Sequence, residues 1–226
     1  MNNQHAGVSL AISLNDYALS KIKGTIRAGV SELNIHNRLG KLYSEAAGTD
    51  IRYEGDILSG ERTALIGGEA TERTLRVGDT VILDMQPFHG GCCCDTTRTY
   101  FIGEPDTQKR RAYKLLEKAL AAGAQAIKPG VSASDIHKAV ADVLAEAEGM
   151  SFPHHAGHGL CAVPFQEPIF LRENHGRIEE GMIVALEPGL YNEHYGMRIE
   201  DNFIVTNNGC KKIGTLSTDM DVFIIL

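Results

Sequence analysis

Apolar positions recur along this chain with helical spacing, then with strand-like runs, and the whole succession occurs twice. Residues 26–48 read IRAGVSELNIHNRLGKLYSEAAG and residues 127–149 read IKPGVSASDIHKAVADVLAEAEG. At an offset of 101, 9 of 23 positions are identical. Each stretch predicts the end of one helix, a Gly turn, and a second helix opening at Ser31 or Ser132. Serine suits that opening because its side-chain oxygen accepts an otherwise orphaned backbone N–H. Ile136, Val140, Val143 and Leu144 mark the apolar face of the second helix in the later copy.

A strand pattern echoes at nearly the same offset. LRVGDTVILD at 75–84 and IEEGMIVALE at 178–187 each predict a Gly turn followed by an apolar strand that ends in a carboxylate, Asp84 or Glu187. Both strands are apolar on both faces and so belong in sheet interiors. A further strand after each carries a second acid: Asp95 in GGCCCDTTRTYFIG and Glu200 in YGMRIEDNFIVTNNG. The halves, about 14–103 and 109–220, therefore each read helix, helix, strand, strand. This predicts one α+β unit over residues 1–226, with two pseudo-symmetric halves and a helix pair in each.

Composition narrows the class. The chain has 226 residues, 43% hydrophobic and 23% charged, with a formal net charge of -7. An acidic balance argues against nucleic acid as a partner, because phosphate binding needs clustered Lys and Arg. No run of about 18 apolar residues occurs, so no membrane span is expected. The first twenty residues lack the pattern of a signal peptide. Five cysteines, three of them adjacent, make a poor disulfide framework. The expectation is a cytoplasmic protein with reduced thiols. Exposed helices or sheet edges offer a homodimer contact.

A carboxylate at the end of a buried strand costs free energy unless it is paired, hydrogen-bonded or metal-bound. Each acid alone could cap a helix or pair with Arg98 or Arg198. Four symmetry-related acids would need four separate partners, whereas a pair of divalent cations roughly 3.5–4 Å apart satisfies them together. HHAGHGL at 154–160 offers a fifth ligand, His158 between two glycines. Four oxygens with one imidazole suit Mn, Co, Fe or Zn better than Ca or Mg. A strand over 91–101 would put Cys93 on the face of Asp95, with Cys92 and Cys94 on the other face. Three consecutive thiols in a strand cannot grip one ion, so the cysteines read as buried packing. Thr97 shares the face of Asp95, and Arg198 shares that of Glu200 and could orient it. Tyr191, His194 and Tyr195 lie between the acids of the second half and are candidates for lining a pocket.

At these residues the sequence resembles the metallopeptidases of the pita-bread fold: methionine aminopeptidase, prolidase and aminopeptidase P. The matching motifs are Asp84 at a strand end, Asp95 in DTTRT, His158 in GHGL, Glu187 in LEPGLY and Glu200 in RIED. The wording FPHHAGHG, EPGLY and RIEDNFIVT is closer to prolidase and aminopeptidase P. The resemblance implies a pita-bread arrangement with a curved and mainly antiparallel sheet, outer helix pairs and no separate N-terminal domain, and a dinuclear site, with manganese or cobalt first and zinc or iron next. It implies Glu187 as the proton acceptor and a small peptide or small amide as substrate. His154, Phe165, Arg198 and Tyr191 are the expected substrate-binding positions. The sequence departs from the family where two histidines that handle the substrate are expected. Phe165 holds one position, in FQEP, and Gly67 the other, in IGGEATERT. His89, His154, His155 and His194 are candidates to replace them. Three readings remain open: a metal-dependent Xaa-Pro dipeptidase or aminopeptidase, a metal-dependent hydrolase or lyase of a small non-peptide substrate, and a non-catalytic metal-binding relative.

Overall fold

The structure, a computed structural model, describes residues 3–226, so the first two residues of the expected 1–226 unit fall outside it. The first half opens with helices α1 (Asn3–Ile22) and α2 (Glu32–Ala47). Strands β1 (Tyr53–Ser59), β2 (Thr80–His89), β3 (Cys92–Cys93) and β4 (Thr96–Ile102) follow. The second half repeats the helix pair as α3 (Thr107–Ala126) and α4 (Ala133–Leu144). It continues with β5 (Gly157–Gly159), β6 (Ile183–Leu186), β7 (Gly189–Tyr191), β8 (Gly196–Arg198), β9 (Asp201–Thr206) and β10 (Gly209–Ile213). The last strand, β11 (Ile224–Ile225), returns to the first half and lies parallel to β4. One sheet runs β1-β2-β4-β11, another β10-β9-β6-β5, and the other ladders of these two sheets are antiparallel. Among the described residues no helix is long and apolar enough to cross a membrane.

Local chemistry sets the helix starts where the sequence places them. Ser31 accepts from the Asn34 backbone N–H, and Asn34 Oδ1 accepts from the Ser31 N–H, closing a reciprocal capping box. Ser132 caps α4 by accepting from the Asp135 N–H. Ile35, Leu39, Leu42 and Tyr43 form the buried stripe of α2; Ala133, Ile136, Val140 and Leu144 form that of α4. The repeat extends to the backbone. Gly29 N–H donates to Leu75 O at 2.8 Å, as Gly130 N–H does to Ile178 O at 2.8 Å. The return bonds, Leu75 to Val30 and Ile178 to Val131, are both 2.9 Å. Each Gly turn thus clips its helix pair to the segment that leads into an acid-bearing strand, with Asp84 inside β2 and Glu187 directly after β6.

Two strands are shorter than the sequence predicts. The strand over 91–101 breaks at Cys94 and Asp95, leaving β3 and β4 on either side. The Asp95 N–H leaves the ladder for Asn202 Oδ1, and the Asn202 amide returns to Asp95 O at 2.6 Å. All three cysteines are buried among Val8, Ala11 and Ile12 of α1, with Leu160 and Ile183. The Cys93 thiol donates to Cys161 O, and burial pushes it up to about 12. Likewise, Glu200 lies in the gap between β8 and β9, outside any ladder.

The halves meet along one seam, where β4 faces residues 198–201. Arg98, fully buried, donates to Glu200 O at 2.7 Å and to Asp201 Oδ1 at 2.7 Å. It also reaches Ser217 O and Leu216 O. Removing one partner of a buried ion pair leaves an uncompensated charge and costs about 3–5 kcal/mol. Arg98→Leu is therefore expected to lower the urea-unfolding free energy by about 3 kcal/mol or more. A loss below about 1 kcal/mol would mean that Lys212, 2.6 Å from Asp201, holds that charge alone.

Candidate metal centre

Of the four acids, Asp84 stands inside a strand, whereas Asp95, Glu187 and Glu200 stand where a ladder stops. This frees the carboxyl groups of those three to turn towards the seam. Gly55 allows β1 to approach β2 there, since a Cβ on it would lie 2.1 Å from Asp84 O. Glu187 N–H donates to Ala156 O, and Glu200 N–H crosses the seam to Thr97 O at 3.0 Å. The Thr97 hydroxyl donates to Glu200 Oε2 at 2.8 Å, so it orients an acid of the other half.

His158, on β5, is the convergence point. Its Nε2 lies 3.5 Å from Glu187 Oε1, 3.6 Å from Asp95 Oδ2 and 3.9 Å from Glu200 Oε1. Its Nδ1 is 2.9 Å from Gly159 O, which assigns the proton to Nδ1 and leaves the Nε2 lone pair facing the carboxylates. That is the tautomer a metal requires. Asp95, His158 and Glu200 each offer an atom within 4.8 Å of the others. Asp84 joins the cluster through a side-chain contact with Asp95.

The charges do not balance. Burial, then the neighbouring Glu200 and Asp84, push Asp95 well above the usual carboxylate range. Burial, then Glu187 and Asp84, do the same to Glu200. Glu187 differs: burial would raise it, but its contact with His155 and the surrounding imidazoles outweigh that and hold it at about 2. Asp84 Oδ1, Asp95 Oδ1 and Glu200 Oε1 are buried without a hydrogen-bond partner. Glu32 shows what a satisfied buried acid looks like in the same molecule. It accepts from Ser59, Arg62 and Thr71 and leaves neither oxygen idle. Orphaned oxygens beside a lone-pair imidazole suit divalent cations, and the residues present fit such a group.

A second layer holds this cluster. Arg198 is buried and donates to Asp84 Oδ2 at 2.6 Å, to the Tyr191 hydroxyl at 2.8 Å and to Ile66 O at 2.9 Å. It therefore orients Asp84, not Glu200 as its strand parity suggests. The Tyr191 hydroxyl lies 3.1 Å from His154 Nε2, and His154 Nδ1 lies 2.7 Å from His155 O. Both nitrogens of His154 are thus engaged inside the protein. Phe165 packs its ring 4.9 Å from the rings of both His155 and His158, and is half exposed. His194 is exposed beside Glu193, and His89 ends β2 opposite Cys92. Tyr195 lies under the Lys109 ammonium, away from this network.

Two further residues reach the centre: His155, one of the four histidines offered as replacements, and Gln86, which the sequence does not single out. His155 places Nδ1 3.1 Å from Glu187 Oε1. Gln86 donates from Nε2 to Asp95 Oδ2 at 2.9 Å. Gln86 lies two residues after Asp84 and so on the same face, which is the one clue the sequence holds.

A two-half α+β frame with a buried acid-and-histidine cluster on its seam defines the pita-bread architecture of metallopeptidases. The chain belongs to metallopeptidase family M24, whose model matches residues 6–207. It is 33% identical over 206 residues to the uncharacterized peptidase YqhT of Bacillus subtilis, covering 90% of this chain and 58% of that protein. Among solved structures, the Xaa-Pro dipeptidase from Bacillus anthracis superposes with a TM-score of 0.93 at 30% identity. That match covers 100% of this chain and 63% of the other. Dipeptidase PepE from Mycobacterium ulcerans gives 0.92 at 27% identity, covering 100% and 61%. The chain spans about three fifths of the length of these relatives.

Burial lowers His154 from 6.5 to about 4, so the unfolded chain takes up this proton before the folded one does. That contribution to stability is lost as pH falls from 6.5 towards 4, and the loss is complete below 4. In metal-free protein, the difference in unfolding free energy between wild type and His154→Gln should shrink across that window. A difference that stays constant from pH 7 to 4 would contradict a neutral, buried His154.

Proposed function

We propose that this chain is the catalytic part of a metal-dependent peptidase of the Xaa-Pro dipeptidase or aminopeptidase kind. It would hold two divalent cations, manganese or cobalt by preference, and act on small peptides. The observation that carries this reading is the convergence of Asp84, Asp95, Glu187 and Glu200 around His158, with three carboxylate oxygens left unpartnered. Those five side chains would hold the metals. When bound, such ions supply Lewis-acid polarisation of a carbonyl and a water acidic enough to react near neutral pH.

The protein's own groups divide the remaining work. Glu187 is ionised at neutral pH, so it can accept a proton from the attacking water and return it to the departing amine. His155 Nδ1, 3.1 Å away, is the contact that favours the ionised carboxylate. Arg198 donates to Asp84 Oδ2 and fixes the Tyr191 hydroxyl, which stays protonated because burial raises it to about 12. Gln86 and Thr97 hold Asp95 and Glu200 in place through one hydrogen bond each. Phe165 makes the wall beside His155 and His158 apolar, where a peptide carbonyl would otherwise find a donor.

That apolar wall favours a second reading on the same site: hydrolysis of a small non-peptide amide. The test is hydrolysis of a panel of Xaa-Pro dipeptides and methionyl peptides by Mn-, Co- and Zn-reconstituted protein. Metal-dependent turnover is expected, falling by at least about 100-fold in Glu187→Ala. No turnover of any peptide, with metal still bound, would remove the peptidase reading and leave the small-amide one.

A further inference from the structure

A fifth carboxylate shares the face of the metal cluster. Asp56, on β1, pairs directly with Asp84 on β2. Residues opposite one another in an antiparallel ladder project to the same face. Asp56 is half-buried and takes a backbone hydrogen bond from Gly68. Its charged surroundings are Asp84 and Glu69, which repel it, and Arg198. Arg198 directs its donors elsewhere: Nε to Thr97, Nη1 to Ile66 O and Tyr191, and Nη2 to Asp84. Asp56 therefore has a positive charge nearby that is already bound to other groups.

The space in front of it is shaped by what residue 67 lacks. A Cβ on Gly67 would lie 2.7 Å from Asp56 Oδ2, closer than real Cβ atoms come. Gly67 is exposed, and the missing side chain opens Asp56 towards solvent beside the cluster. The two residues are matched: this carboxylate keeps its position only because its neighbour has no side chain.

We propose that Asp56 is a specificity-determining residue of the peptidase site, receiving an ammonium or guanidinium group of the substrate through the opening at Gly67. The inference rests on the peptidase reading for its substrate class. Two sources share that chemistry, a basic side chain and the free amino terminus, and the side chain is the one that a panel can vary alone.

The experiment compares kcat/KM for Arg-Pro against citrulline-Pro, which differ in charge and hardly in shape. Each is run with a free and with an acetylated amino terminus. Wild type should favour the arginine peptide by about tenfold or more, as expected when a charge-assisted hydrogen bond is replaced by a neutral one. Asp56→Asn should abolish that ratio, Asp56→Glu should restore part of it, and Gly67→Ala should reduce it by displacing the carboxylate while keeping its charge. If only acetylation alters the Asp56-dependent rate, the amino terminus is the occupant and the group received is an ammonium. A wild-type ratio near one with no Asp56-dependent effect of acetylation, or a raised ratio that persists unchanged in Asp56→Asn, overturns the proposal. Were no peptide hydrolysed, the peptidase reading would fail separately. Calorimetric titration of Mn-loaded protein with arginine amide and citrulline amide would then decide: tighter binding of the arginine compound, abolished in Asp56→Asn, upholds the role of Asp56, and equal binding overturns it.

Discussion

Everything at the centre of this molecule depends on the seam that joins β4 to residues 198–201. Arg98 is buried there with hydrogen bonds to backbone carbonyls on both sides, and Thr99 both donates to Arg198 O and accepts from its N–H. These bonds fix the distance between the halves, and that distance decides whether one acid pair meets the other. Were the seam looser, Asp84 and Asp95 would face solvent instead of Glu187 and Glu200. The crowding is costly in isolation, since burial and mutual repulsion push two of the four acids towards protonation. A fold that assembles such a cluster and leaves its oxygens unpaired is built around positive charge arriving from outside.

The seam also explains which parts of the molecule are legible in the sequence. Ser31 and Ser132, Gly29 and Gly130, and the runs ending in Asp84 and Glu187 are local signals, and each stands where its chemistry puts it. The four acids and His158 gather at one point because two copies of one pattern meet along that seam. Sequence and structure part company where a residue answers to the other half. Asp95 leaves its strand for Asn202, more than a hundred residues on, and Arg198 pairs with Asp84 across a similar separation. Periodicity within one strand carries no information about such partners. Asp56 is silent in the sequence for the same reason, since its significance depends on Gly67 having no side chain.

The run of three cysteines is packing against α1, with its middle thiol bonded to a backbone carbonyl and raised well away from reactivity. The departures from the family pattern are more informative. Phe165 and Gly67 stand where substrate-handling histidines are expected, and the surroundings of each fit the replacement. Phe165 rests on two imidazoles, and Gly67 leaves room for a carboxylate. A surface expected to offer hydrogen-bond donors is apolar at one of these positions and acidic at the other. On the proposed reading, such an exchange would alter which substrates fit while leaving the acids and His158 intact.

The central claim is that the carboxylates and His158 form one divalent-cation site, and equilibrium dialysis of metal-free protein against Mn(II) tests it most directly. About two ions per chain are expected, with at least one lost in Glu200→Gln and in His158→Ala while both variants remain folded. Wild-type protein that binds no manganese, cobalt or zinc, or variants that bind as much as wild type, would contradict it.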